Sequence, residues 1–289
     1  MMNLSALLNK YNLFPKKGLG QNFLTDPHHL GKIIEAAELS PDDTVLEIGP
    51  GPGALTRLLA ESAGRVIAVE LDEAMVNLLR QEYGHLSNLT VVHADILQTS
   101  LAELLESGVR SQNTDDVIRH SSVVIRNFKV VANLPYYITS AAIRHLLESR
   151  PQPQRIVITI QKEVAQRIVA QPGDMSLLAV SVQFYGAPKL VHKIPAGAFY
   201  PPPKVDSAVV RIDTFDSPPV AVADVEQFFA VVKAGFGQKR KQLKNTLAAG
   251  LRRPGPEIVA ALHAAGIDPT RRAETLSLPE WGRLVAALM

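Results

Sequence analysis

"TVLEIGPGPGALT" (44–56) is the stretch on which the fold turns. Its first half is a continuous apolar run, as expected of a strand buried on both faces rather than one that alternates. The second half brings Gly49, Gly51 and Gly53 at alternate positions and then opens a helical pattern, "ALTRLLAESA". Glycines let the backbone turn tightly and approach a ligand, and the helix N-terminus behind them favours an anion. Strand, glycine turn and helix are the first unit of a doubly wound sheet, whose ligands bind at the carboxyl ends of the strands.

Strand-like runs follow downstream in alternation with helical patterns: "RVIAVEL" (65–71), "LTVVHAD" (89–95), "FKVVAN" (128–133), "RIVITI" (155–160), "LLAVSVQFYG" (177–186) and "SAVVRID" (207–213). Helical stretches such as "EAMVNLLRQEYG" lie between them, and upstream Asp26 and Pro27 mark a helix start as N-cap and first helical residue. The alternation predicts an α/β fold with a parallel doubly wound sheet. Residues 98–127 are polar and uneven, which predicts a surface insertion. "DSPPVAVAD" (216–224) reads as a linker, and beyond it the pattern is all-helical, its last helix opened by the capping box Ser277-x-x-Glu280. Two domains are therefore expected, 1–215 and a small helical 216–289.

The 289 residues contain no cysteine, which excludes disulfides, thiolate metal sites and cysteine nucleophiles. The eight histidines show no HExxH-type spacing, and His28 and His29, being adjacent, are not expected to face one metal from a helix; no metal is predicted. No secretory h-region or membrane-length apolar run is found, so a cytoplasmic, membrane-free protein is expected, acting as a monomer. Charge is unevenly spread: from Pro218 onward ten Lys and Arg face six Asp and Glu, whereas residues 1–217 carry 20 against 22. The tail is the basic part.

Gly49-x-Gly51-x-x-Ala54 also satisfies the dinucleotide fingerprint, so the glycines alone leave a dehydrogenase and a methyltransferase both open. Glu70 ends the second strand, 21 residues after Gly49, where a carboxylate accepts from the ribose hydroxyls of an adenosine cofactor. Asp95, ending the third, is placed to accept from an adenine amino group; a plain helix N-cap is the alternative. The fourth strand ends in "NLPYY" (133–137) at the same sheet edge. An adenine amino nitrogen is a poor nucleophile because its lone pair is delocalised into the ring. A site that methylates it must hold the N–H hydrogens on acceptors. The Asn133 side-chain oxygen and the Leu134 carbonyl are such acceptors, Pro135 fixes the turn, and Tyr136 offers a face for the base. No role follows for Tyr137.

The chain resembles the ribosomal RNA adenine N6,N6-dimethyltransferases, most closely the bacterial small-subunit type. "KKGLGQNFL" (16–24), "LEIGPGPGALT" (46–56), "VELD" (69–72), "ADIL" (94–97), "NLPYYIT" (133–139), "QKEVAQRI" (161–168), "FYPPPKVDSAVV" (199–210) and "GFGQKRKQLKNTL" (235–247) carry the resemblance, in order along nearly the whole chain. It implies a Rossmann-like methyltransferase sheet, S-adenosyl-L-methionine as donor, and dimethylation at N6 of two adjacent adenosines in a hairpin loop near the 3′ end of 16S rRNA, free or in the assembling small subunit. The alternative is a large-subunit rRNA adenine N6-dimethyltransferase of the antibiotic-resistance type. Carried over by position, Asn22, Leu24, Gly49, Gly51, Glu70, Asp95 and Asn133 contact the cofactor, and Phe199 joins Asn133, Leu134, Pro135 and Tyr136 around the target base; edge-loop packing is the other reading of Phe199. Lys239, Arg240, Lys241 and Lys244, on a helical pattern in which 240, 241 and 244 share a face, are the expected phosphate contacts, a solvated helix face being the alternative. Asp95 and Asn133 stand 38 residues apart, longer than the resemblance leads one to expect, because of the 98–127 stretch.

Overall fold

Residues 4–107 and 128–289 are described by the computed structural model. They divide into two compact units. The first takes the described residues up to Ala165 together with Lys189–Thr214; the second takes Gln166–Pro188 and Phe215–Met289. The second unit thus includes a segment that a single sequence boundary at 216 assigns to the first.

Elements follow the chain as α1 (Leu4–Lys10), β1 (Phe23–Leu24), α2 (Pro27–Ala37), β2 (Thr44–Ile48), α3 (Ala54–Ser62), β3 (Arg65–Glu70), α4 (Glu73–Tyr83), β4 (Leu89–His93), α5 (Leu101–Ser107), β5 (Phe128–Asn133), α6 (Thr139–Glu148) and β6 (Arg155–Gln161). After them come α7 (Lys162–Ile168), α8 (Leu177–Tyr185), β7 (Gly186–Ile194), β8 (Phe199–Tyr200), β9 (Ser207–Thr214), α9 (Val225–Gly235), α10 (Leu243–Leu251), α11 (Gly255–Ala264) and α12 (Leu278–Leu288). Seven strands form one sheet in the order β4-β3-β2-β5-β6-β9-β7. The first five are parallel, and β9 runs antiparallel to β6. From β2 the chain builds outward to β3 and β4, then crosses back to lay β5 on the other side of β2. That reversal is the switch point at which doubly wound sheets bind ligands.

Burial explains the continuous apolar strands: Val45, Leu46, Val66, Ile67, Val130 and Val131 are all 0% exposed. Helices α2 and α3 cover one face through Leu30, Ile33, Leu55 and Leu59, packed with Val45, Val131 and Val157. Asp26 caps α2 as expected, its Oδ1 accepting from the backbone N–H groups of His28 and His29. A separate two-stranded ribbon pairs β1 with β8 antiparallel, Leu24 opposite Phe199.

Three expectations need correction. "LLAVSVQFYG" is not a strand of the sheet: residues 177–185 form α8, capped by Ser176, whose Oγ accepts from the Ala179 N–H. A uniformly apolar run carries no period that separates strand from helix, and α8 is buried among α9 and α12, Phe184 stacking on Phe228 at 4.7 Å between ring centres. The 98–127 stretch is not surface throughout, because α5 buries Leu101, Leu104 and Leu105; its remainder, 108–127, lies outside the described residues. Lys239, Arg240 and Lys241 are not helical. Helix α9 stops at Gly235, where a Cβ would stand 2.4 Å from the Trp281 ring, and a turn carries the three exposed cations to α10, so only Lys244 is on a helix.

Candidate active site

Four parallel strands, β2 to β5, end beside one another, and a cavity of about 250 Å³ opens over their carboxyl ends. Its walls include Asn22, Gly49, Gly51, Glu70, Asp95, Asn133, Leu134, Pro135, Tyr136 and Phe199, ten of the residues singled out from sequence. Leu24 is not among them. Its side chain is 4% exposed, packed in the core under the β1–β8 ribbon, and it borders instead a small neighbouring void of about 30 Å³ with Glu47 and Gly49.

The glycine turn is bound to the acid of the next strand. Gly51 has φ +54° and its N–H donates to Glu70 Oε2 at 3.0 Å; a Cβ there would lie 2.7 Å from the Phe23 ring. Only glycine satisfies both demands. Glu70 Oε1 accepts from the Asp72 N–H at 2.9 Å, so both carboxylate oxygens are oriented by backbone donors. Glu70 is 6% exposed, and burial pushes its carboxyl up against the opposing pull of those donors.

The loop "KKGLGQNFL" is fastened over the same edge. Lys16 Nζ pairs with Asp72 Oδ1 at 2.7 Å and Gln21 Nε2 donates to Asp72 Oδ2 at 3.1 Å, while Asp72 also caps α4 through the Ala74 N–H. Burial raises the Asp72 carboxyl, but Lys16 and Gln21 outweigh it and hold the group below the usual range. Gly20, at φ +59°, lies under the Tyr137 ring, where a Cβ would meet it at 3.2 Å. Tyr137, without a role in the sequence, thus packs on this loop and lines the cavity, 59% exposed. The pair Lys16 and Asp72 was not singled out from sequence; the residues are 56 apart and only the fold joins them.

Asn133, the last residue of β5, donates its Nδ2 to the Asn22 carbonyl at 3.0 Å. That bond fixes the amide plane and commits Nδ2, which leaves Oδ1 as the acceptor of the amide. Tyr136 follows in a single 3-10 turn, its hydroxyl 2.7 Å from Ser207 Oγ on β9, so the ring is held at its far end. Burial raises the Tyr136 phenol. Phe199 is 4% exposed, packed with Leu24 and Ile194 while its face reaches the cavity. Packing and cavity lining are both met. Asp95 sits in a turn rather than at a helix start, its oxygens accepting from the Leu97 N–H and Gln98 Nε2, each at 2.9 Å.

Two carboxylates, several carbonyl acceptors, aromatic rings and no cation line this cavity among the described residues. That lining fits an adenosine carrying a sulfonium, whose positive charge the two carboxylates favour. The four cations 239, 240, 241 and 244 belong to the second unit.

A family model described as ribosomal RNA adenine dimethylase matches residues 14–288. A ribosomal RNA small subunit methyltransferase A of Dehalococcoides mccartyi is 47% identical over 284 residues, spanning 98% of this chain and 92% of the relative. The chain belongs to the ribosomal RNA adenine dimethylases. Another relative of this dimethylase, from Alkaliphilus oremlandii and of the same description, is 40% identical across 96% of the chain and 93% of its own length. Among solved structures, a dimethyladenosine transferase from Plasmodium falciparum superposes with TM-score 0.72 at 25% identity, covering 91% of the dimethylase chain and 95% of its own. The 23S rRNA methyltransferase ErmE superposes at 0.69 with 30% identity, covering 92% and 99%. Among the described residues no helix of the dimethylase is long and apolar enough to cross a membrane.

Proposed function

We propose that this rRNA adenine dimethylase transfers methyl groups from S-adenosyl-L-methionine to N6 of two adjacent adenosines in a hairpin loop near the 3′ end of 16S rRNA, dimethylating each as the small subunit matures, and that it acts as a cytoplasmic monomer. The observation that carries the reading is the Asn133 amide: with its Nδ2 committed to the Asn22 carbonyl, Oδ1 is an oriented acceptor at the strand edge.

The donor, when bound, supplies a methyl already activated on a positive sulfur. Everything else falls to the protein's own residues. Glu70 and Asp95 accept from the adenosine part of the donor, Gly49 and Gly51 let the backbone approach it, and Asn22 closes it from the N-terminal loop. Asn133 Oδ1 and the Leu134 carbonyl hold the N–H hydrogens of the target, which draws the nitrogen lone pair out of the ring and aims it at the methyl. Tyr136 and Phe199 bracket the base, each stacking contact worth about 1–3 kcal/mol. As the N–C bond forms, the donor's methyl C–S bond would break with its electron pair left on a now neutral thioether sulfur; the nitrogen would then be positive and acidic, so its proton would leave to solvent without a strong base. A base inside a duplex could not reach this site, whereas a loop base is extruded for a few kcal/mol or less. Lys239, Arg240, Lys241 and Lys244 lie along phosphates of the same RNA.

Identity to the small-subunit relatives exceeds that to ErmE, 47% and 40% against 30%, which favours the small subunit. Incubation of the protein with labelled S-adenosyl-L-methionine and unmethylated small or large subunits tests the choice. Label in small-subunit RNA is expected; label confined to large-subunit RNA would reverse it.

A further inference from the structure

Adjacent histidines on a helix were expected to point apart, yet the fold brings two of them and a distant third together. His28 and His29 stand in the first turn of α2, and His192 lies on β7, all within the first unit. His29 Nδ1 is 2.8 Å from His192 Nε2, and ring centres are separated by 5.3 Å for His28 and His29, 5.7 Å for His28 and His192, and 5.0 Å for His29 and His192. Each residue can offer a ring nitrogen such that all three lie within 4.8 Å of one another. None of this belongs to the catalytic cavity, whose walls contain no histidine among the described residues.

We propose that His28, His29 and His192 form a three-imidazole site for a zinc-class divalent ion, with water as the fourth ligand. Imidazole nitrogen suits zinc, nickel and copper, whereas magnesium and calcium prefer oxygen. With zinc–nitrogen bonds of about 2.0–2.1 Å, a tetrahedral site needs nitrogens roughly 3.3 Å apart. The 2.8 Å His29–His192 contact must open slightly and the His28 nitrogen must close in, changes that side-chain rotation supplies. The contact itself requires one ring to present a bare nitrogen to the other, so a metal-competent lone pair is already turned inward. His28 is exposed and the other two are half-buried, which gives the ion a route from solvent. The nearest cation along α2, Lys32, is engaged with Glu35 at 2.7 Å.

Such an ion would link two segments that border the catalytic cavity. His28 and His29 follow the β1 residues Phe23 and Leu24, and β7 leads from His192 to Phe199 in β8. The β1–β8 ribbon, with Thr25 donating its N–H and Oγ1 to the Ala198 carbonyl, both at 3.1 Å, is the present link between them. A bound ion adds a second link and stabilises the folded form by mass action.

The test uses the full chain without a histidine tag, stripped with chelator, and titrated with zinc in a calorimeter and with cobalt as an optical probe. One equivalent should bind, cobalt should give the intense visible bands of a tetrahedral site, and zinc should raise the Tm. His192→Ala and His29→Gln should each weaken binding at least about tenfold and abolish the zinc-dependent Tm shift, while His85→Ala at an exposed site elsewhere leaves both unchanged. Two variants guard against a folding defect in one, and each is checked by its melt in chelator. Absence of a one-equivalent site in the parent protein, or equal binding in both cluster variants and the parent, would overturn the proposal.

Discussion

Glu47→Gln should make the first unit progressively more stable than the parent as pH rises. Glu47 sits in β2 two residues before Gly49 of the glycine turn, 1% exposed, with no hydrogen-bond partner for its Oε2 among the described residues. Burial lifts its carboxyl from 4.5 to about 8; the nearby Thr56 hydroxyl opposes the rise and the Glu70 charge adds to it. Below the unfolded value both states carry the proton, and the group adds no pH dependence. Between the two values the unfolded chain has released it and the folded chain has not, so stability falls by about 1.4 kcal/mol per pH unit. The accumulated loss is on the order of 3 kcal/mol at pH 7 and levels off near 5 kcal/mol above pH 8. Glutamine has the same shape and no proton to release, so the variant lacks this slope. Its buried amide adds a constant offset, which makes the pH dependence of the difference the quantity to read. Urea unfolding from pH 5 to pH 9, followed by far-UV circular dichroism, supplies it, while fluorescence of the single Trp281 reports the second unit as an internal reference. Parallel pH profiles for the two proteins would refute the reasoning.

Gly51→Ala forces a side chain into φ +54° and within 2.7 Å of the Phe23 ring, and should cost about 2–4 kcal/mol with loss of donor binding; an unchanged melting curve would count against the tight turn. Tyr136→Phe keeps the ring and loses only the Ser207 hydroxyl contact, so methyl transfer should fall a few fold, whereas Tyr136→Ala should raise the RNA KM by about 10- to 100-fold. Equal effects of the two would make the hydroxyl rather than the ring the working part. Replacing Lys239, Arg240 and Lys241 together by Gln should flatten the dependence of RNA affinity on salt by about 2 in log–log slope. A slope unchanged from the parent would remove that turn from the RNA contact.

What the sequence made legible follows from where the information sits. The glycine turn, Glu70 and Asn133 are read from a strand and the few residues after it, because spacing along a parallel strand fixes which residues reach its carboxyl end. Asp26 and the Ser277 capping box were readable for the same reason, both being local hydrogen bonds. Where burial on several sides removed periodicity, the reading failed, as for α8. Strand β7, by contrast, carried a usable signal, since its exposed and shielded residues alternate from Gly186 to Ile194, but Pro188 and two lysines masked it. The Lys16–Asp72 pair and the three-histidine cluster lie beyond any local pattern. Their partners are 56 and 163 residues apart, and only the sheet order and the β1–β8 ribbon join them. Leu24 illustrates the limit of carrying a role by position, since its side chain turns into the core while Phe23 beside it lines the cavity.

Asn133→Ala is the most direct test, because the account rests on one acceptor holding one amine. Methyl transfer from labelled S-adenosyl-L-methionine to unmethylated small subunits should fall by at least about 100-fold, the scale of losing one oriented hydrogen bond used in the transition state, while affinity for the small-subunit RNA stays within a few fold of the parent. Parent-like transfer by the variant would contradict the account.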